Sequence, residues 1–401
     1  MNRLHYGLAE AVVKCVDRIF GEGKYADKVI EKALKQNRKW GSRDRGFIAE
    51  HTYEIVRWWR LLRYCAGIDE NDANAHIWTI LGTLFIFKGY EMPRWKEFSS
   101  LDASVIHKRR LDADKITSIR ESIPDWMHEL GKKELRDEWV KEIHALNEQA
   151  SLIIRVNTAI TSIATLQHKL ELRGFESEQL TEQPAALRFL KRGNLFATPE
   201  FKEGLFEVQD ASSQMVAPFL NPIPGSRVID ACAGAGGKTL HLAAIMQNKG
   251  KIIALDKEAY KLEELKKRAR RAGAGIIESR PIESSKTIKR LHESADYLLL
   301  DVPCSGLGVI RRNPDAKWKL KSEFMDNVRL EQKKILQDYS LMLKPGGFLL
   351  YSTCSILPSE NEQQVSGFLS EHQGFRLIQE KKIKPSSGFD GFYMALMKRE
   401  K

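Results

Sequence analysis

At 401 residues the chain is too long for one ordinary core, and two or three domains are expected. Hydrophobic residues at 42% and charged residues at 29%, with no apolar run of about 18 or more, exclude a disordered chain and a membrane-spanning one. Lys and Arg number 64 against 53 Asp and Glu, a net charge of +11 that favours a polyanionic partner, because each neutralised phosphate releases counterions.

The opening MNRLHYGLAEAVVKCVDRIFGEGK has no apolar stretch with a small-residue cleavage site, so a cytosolic protein is expected. Residues 1 to about 145 read as helical. Apolar residues recur at three and four spacings through Leu8, Ala11, Val12, Cys15, Val16 and Ile19, then through Phe47–Leu62 and Ile77–Phe87. Ser42-Arg43-Asp44-Arg45 and Asp72 stand where helices would start. A polar stretch near 99–125 follows, and Ser122-Ile123-Pro124 breaks it before a last helix to about Gln149.

From Ser151 the texture changes. Leu152–Asn157 reads as a short strand, a helix runs through Leu166, Leu170 and Leu172, and Gly174 closes it. Gly193 and the Pro199 region read as turns between further short strands, so 149–205 is expected to form a small α/β insert. Beyond it, strands at Arg227–Ala231, Lys251–Asp256, Gly275–Glu278, Asp296–Asp301 and Phe348–Thr353 alternate with helical stretches. That spacing predicts a parallel sheet covered on both faces, with Phe392–Met397 as a final edge strand.

The first of these strands runs into Asp230-Ala231-Cys232-Ala233-Gly234-Ala235-Gly236-Gly237-Lys238-Thr239. Small-residue loops let backbone approach a ligand and aim helix N–H groups at it. A Walker A loop fails by count, because Cys232 stands where its first glycine belongs, and no GxGxxG register fits. The next strand ends at Asp256, where a carboxylate could accept from both ribose hydroxyls. A nucleoside cofactor follows, with methylsulfonium and nicotinamide both open.

Five cysteines are scattered and odd in number, without a CxxC pair, so neither disulfides nor a metal site is expected. Cys15 and Cys65 read as small buried hydrophobes. Cys304 and Cys354 differ: each follows the carboxyl end of a predicted strand, in Asp301-Val302-Pro303-Cys304 and Ser352-Thr353-Cys354, on the edge where doubly wound sheets place their chemistry. Pyrimidine carbon 5 is a poor nucleophile. A thiolate adding to carbon 6 makes an enamine that can take a methyl group, and loss of the carbon-5 proton then expels the thiol. That sequence needs a nucleophile, a proton donor near ring nitrogen 3 and a base. Two cysteines, Asp301 and Lys238 match the requirement, and a cation favours a thiolate.

The strings Asp301–Trp318 (DVPCSGLGVIRRNPDAKW), Ser352–Ile356 with Glu360-Asn361-Glu362, and Cys232–Thr239 (CAGAGGKT) closely resemble the Sun (Fmu) branch of the NOP/Sun family, as do Gln209–Gln214, Arg155–Thr158 and Asp390–Tyr393. The resemblance covers about 150–401. It implies an α/β architecture: a class I, Rossmann-like S-adenosylmethionine methyltransferase domain at 206–401 that makes 5-methylcytosine in RNA. It implies Cys354 as the nucleophile, Cys304 as the residue assisting product release, and Asp301 and Lys238 beside the target base. Residues Cys232, Ala233, Gly234, Ala235, Gly236, Gly237 and Lys238, with Asp256, Asp301 and the adenine-side candidate Glu283, would hold S-adenosylmethionine. The family's loop commonly reads Ala-Pro where this chain has Gly234-Ala235.

Residues 1–148, led by Ser42–Phe47 and Ile55–Trp58, resemble the NusB-like helical RNA-binding domain of bacterial ribosomal-RNA members. The basic run at 261–271 also contains Glu263 and Glu264 and reads as a solvated face; Arg311-Arg312 and Lys317–Lys321 are the runs expected to meet RNA. The target cytosine must be looped out or flipped. The expected substrate is 16S ribosomal RNA, with transfer RNA as the alternative, and a monomer is expected. A non-catalytic RNA-binding assembly factor is the reading from another class.

Overall fold

The computed structural model describes residues 4–70, 72, 76–191 and 193–400. The chain divides into two compact units, one made of Met1–Glu148 with Ile310–Ser322, the other of Gln149–Val309 with Glu323–Lys401.

The first unit is helical, with its longer helices at Tyr6–Phe20, Ala26–Gln36, Ser42–Arg57, Ile77–Phe87, Ala103–Ala113 and Asp125–Leu135. The three-and-four spacing puts Val12, Val16 and Ile19 on one face, packed with Ile48, Ile55, Ile80, Leu81 and Phe85. Asp44 supplies the start signal for Ser42–Arg57, its carboxylate accepting the Gly41 N–H at 3.0 Å. Asp72 does not cap the helix that begins at Ile77; its carboxylate meets the His76 ring at 2.8 Å. The polar stretch near 99–125 contains the helix Ala103–Ala113, which buries only Ile106 and Ala113 and is capped by Asp102.

The segment Ile310–Ser322 departs from expectation. Lys317 is fully buried, donating to Arg57 O at 3.0 Å, Ser122 O at 3.2 Å and Asn147 Oδ1 at 2.6 Å. Arg311 is also buried and donates to Ala145 O at 2.7 Å. Lys319 lies over the Tyr25 ring and pairs with Asp315. These cations satisfy carbonyls and carboxylates of the helical unit, so the run expected to face RNA is structural at Arg311, Lys317 and Lys319.

The second unit carries two sheets. The strands in chain order are β1 (Ile153–Val156), β2 (Ser177–Leu180), β3 (Gln183–Phe189) and β4 (Phe206–Val208), then β5 (Arg227–Asp230), β6 (Lys251–Asp256), β7 (Ile277–Pro281), β8 (Ala295–Asp301), β9 (Leu343–Thr353), β10 (Phe375–Ile383) and β11 (Phe392–Arg399). The first four form an antiparallel sheet in the order β2-β3-β1-β4, so the insert reaches past residue 205 to Val208. The other seven run β10-β11-β9-β8-β5-β6-β7.

In that sheet only β11 is reversed, and it lies between β9 and β10, not at the edge. The edge strand is β10, whose residues 376–382 are all exposed, leaving it no hydrophobic pattern. Period-two alternation in the inner strands sorts the core. Ile229, Ile253, Leu298 and Leu349 face one layer, with Ile335, Leu336 and Tyr339 of the helix Ser322–Ser340. Val228, Ile252, Leu299 and Leu350 face the other, with Met215, Val216, Leu242 and Met246 of the helices Ala211–Leu220 and Gly237–Ile245 and the turn beyond. Sheet order reverses at β5, which has β6 on one side and β8 on the other, and such switch points open a crevice at the strands' carboxyl ends.

The small sheet is tied to this scaffold through the strings that carry the family resemblance. Arg155 on β1 is buried and donates to Gly237 O at 2.6 Å and to Gln209 Oε1. Burial pulls its guanidinium down to about 9. Asn157 donates to Gly204 O and Ala272 O, and Gln214 to Ile154 O.

Candidate active site

The strand ends at the β5 switch point bring four loops together. After β5 the chain turns through Gly234 and Gly236, whose φ angles are +52° and +86°. Gly236 is required twice over, since a Cβ there would also lie 2.6 Å from Leu265. The loop is held by Gly234 N–H donating to Asp256 Oδ2 at 2.8 Å and by Arg268 donating to Ala235 O at 2.7 Å. Asp256 Oδ1 accepts the Glu258 N–H at 2.8 Å, so the carboxylate is oriented beside the glycine loop. Residues 232–238 and Asp256 are thereby assembled around the amino terminus of the helix Gly237–Ile245, an arrangement suited to a nucleoside cofactor. Cys232 packs against the core, and burial pushes its thiol well above the ordinary range.

Glu283 follows Ile282, whose N–H donates to Asp256 O at 2.9 Å. It is exposed on the loop after β7 and lines a cavity of about 730 Å³ with Lys257, Ile282, Ile288, Ile335 and Tyr339.

Lys238 and Asp301 meet across the switch point, Nζ to Oδ2 at 2.5 Å, and Ser352 donates to Asp301 Oδ1 at 3.0 Å. The ammonium also lies 5.0 Å from the Phe392 ring centre. Burial alone would pull the ammonium down, but Asp301 outweighs it and the net shift is upward, so Lys238 stays charged.

Cys304 and Cys354 converge from the ends of β8 and β9 until their Sγ atoms are 3.1 Å apart. The hydrogen bond to Cys354, then burial, push the Cys304 thiol well above its ordinary range. Cys304 is therefore held as the thiol. The Cys354 carbonyl accepts the Gly308 N–H at 2.9 Å, and Gly308 O accepts the Gly391 N–H at 2.8 Å. A Cβ on Gly308 would lie 2.2 Å from Gly391 O, so only glycine fits this crossing.

Beneath the thiols lies a residue whose role the sequence reading missed. Glu360 is fully buried and accepts from Ser305 N–H at 2.7 Å, Ser305 Oγ at 2.5 Å, Ser355 Oγ at 2.5 Å and Gln332 Nε2 at 3.1 Å. The available signal was the serine after each cysteine, since two buried hydroxyls need an acceptor. Asp230 was missed as well: it is buried at the end of β5, accepts from Thr239 Oγ1 at 2.7 Å, and its carboxyl is raised to about 7 by desolvation. Among the described residues no group of His, Cys, Asp and Glu could hold a metal ion, and no helix is long and apolar enough to cross a membrane.

Comparison with known proteins adds sequence relatives to this geometry. Residues 217–397 match the family model described as 16S rRNA methyltransferase RsmB/F, and residues 123–195 match a ferredoxin-like domain described as RsmF/B-like. The chain is 36% identical over 273 residues to a probable ribosomal RNA small subunit methyltransferase B of Synechocystis sp., covering 67% of this chain and 61% of the relative. It is 35% identical over 292 residues to the ribosomal RNA small subunit methyltransferase B of Pasteurella multocida, covering 69% and 65%. The alignments thus span less than two thirds of these relatives' own lengths. The crystal structure of PH0851 superposes over 100% of both chains with a TM-score of 0.84 at 25% identity.

Proposed function

We propose that this chain, which carries the methyltransferase domain and the ferredoxin-like domain of the RsmB/F family, methylates carbon 5 of a cytosine in RNA, with 16S ribosomal RNA as the favoured substrate. The observation that carries the reading is the pair of thiols 3.1 Å apart beside the Lys238–Asp301 ion pair. The glycine loop and Asp256 fit S-adenosylmethionine, with its ribose hydroxyls at the Asp256 carboxylate. When bound, it supplies an electrophilic methyl group.

The chain's own groups divide the remaining work. The neighbouring sulfur and burial hold the Cys304 thiol well above its ordinary range, so Cys354 is the sulfur assigned to attack. Cys354 Sγ bonds to carbon 6, and the electrons of the 5,6 double bond move to carbon 5, which takes the methyl. A base then takes the carbon-5 proton, the C–H electrons restore the double bond, and the pair of the carbon 6–sulfur bond leaves on Cys354 Sγ. Cys304 Sγ lies 3.1 Å from the departing sulfur, which supports its role in product release. Asp301, oriented by Ser352 and Lys238, would bond the polar edge of the cytosine. The helical unit and the small sheet would select the RNA, and Glu283 would mark the adenine side of the cofactor site.

Trapping tests the assignment. Cys304→Ala incubated with cellular RNA and S-adenosylmethionine is expected to accumulate a covalent protein–RNA adduct, which adding Cys354→Ala abolishes. Absence of both adduct and wild-type methyl transfer would sink it. Sequencing the trapped RNA names the substrate, and recovery of tRNA alone would remove the ribosomal assignment.

A further inference from the structure

The two thiols come from loops fifty residues apart in sequence. Backbone bonds link the loops on either side of the thiols, Val302 N–H to Ser352 O at 3.0 Å and Gly308 N–H to Cys354 O at 2.9 Å, and one carboxylate gathers the residues that directly follow the two cysteines. Glu360 Oε1 accepts from the hydroxyls of Ser305 and Ser355, the residues immediately after Cys304 and Cys354. Oε2 accepts the Ser305 N–H and the Gln332 amide, and that amide also donates to Pro303 O at 2.9 Å. The two hydroxyls are themselves 3.3 Å apart. Glu360 is in turn fixed from its backbone side, its carbonyl accepting the Tyr351 hydroxyl at 2.7 Å.

We propose that Glu360 is a positioning residue that clamps the two cysteine loops and so sets the distance between the thiols. A buried carboxylate with four donors around it is strongly directional, and it stabilises one arrangement of those donors. This deepens the function proposed above, but its test needs neither RNA nor cofactor and can fail while methyl transfer stands.

The readout is capture of the thiol pair by diamide in the full-length protein. One thiolate adds across the nitrogen–nitrogen double bond, and the second sulfur displaces that nitrogen. A sulfur–sulfur bond forms, and the two thiol hydrogens end on the resulting hydrazine. Peptide mapping identifies the Cys304–Cys354 link and gives its rate. Glu360→Ala is expected to slow capture about tenfold or more, because small misplacements of reacting atoms cost at least that much. Glu360→Gln is expected to restore it: the amide oxygen takes the two N–H donors, and the amide nitrogen donates to the two hydroxyls. The sign separates geometry from charge. The Glu360 charge raises the Cys304 thiol, so losing charge alone would speed capture, not slow it. Should Glu360→Ala fail to fold, the paired Ser305→Ala, Ser355→Ala variant removes the hydroxyl half of the clamp and is expected to slow capture. Wild-type capture in either folded variant, or equal slowing in Glu360→Gln, would overturn the proposal.

Discussion

Burial decides what each charged group at the strand ends can do. Asp230 is the sharpest case, since Thr239 supplies Oδ2 with a donor while Oδ1 has none among the described residues. Its carboxyl, raised to about 7, keeps its proton in the folded chain at pH values where the unfolded chain has released it. Unfolding then releases a proton, so stability falls as pH rises from the ordinary carboxyl range to about 7 and levels off above it. The loss is on the order of 4 kcal/mol across that window. Asp230→Asn removes this titration and keeps an acceptor for Thr239. Urea unfolding of both proteins between about pH 5 and 8 is expected to show the variant gaining on wild type as pH rises, whereas parallel curves would contradict the assignment.

At the scale of elements, the lesson lies in which signals survive the fold. The inner strands were legible because the continuous apolar runs on β5, β6, β8 and β9 are what two-sided burial demands. The convergence of the glycine loop and both cysteines was legible because each follows the carboxyl end of an inner strand. β10 was not, because an edge strand exposed along its length needs no apolar residues. Nor was Glu360, whose meaning depends on two serines that only the fold brings to it. Lys317 was misread for a related reason: a lysine is almost never buried, and only tertiary structure supplies its three acceptors. Lys317→Met leaves those acceptors without a donor and is expected to cost about 3 kcal/mol or more. The salt dependence of RNA binding is expected to stay unchanged, since no phosphate contact is lost. A smaller salt slope with unaltered stability would restore the RNA-contact reading.

For the whole molecule, the chain's division into units is not a division of its sequence. A boundary drawn at residue 148 looks like a clean cut between helical and α/β textures, yet Ile310–Ser322 belongs to the helical unit although Cys304 and Cys354 flank it in sequence. A fragment of residues 149–401 would keep that segment and strip it of Arg57 O, Ser122 O, Asn147 Oδ1 and Ala145 O, the acceptors for Lys317 and Arg311. It would also lose Val56 O, which accepts the Trp318 indole N–H at 2.7 Å. A lysine stripped of all three of its acceptors cannot stay buried, so the segment opens. Limited trypsin digestion is expected to cut the fragment at Arg311 and Lys317, where the full chain resists, because cleavage follows the population of the open form. The opened segment begins six residues after Cys304 in the sequence, so the fragment is also expected to lose methyl transfer even where its cofactor loop remains folded. A fragment that resists trypsin at these sites and methylates RNA at the full-length rate would show that the helical unit serves substrate choice alone.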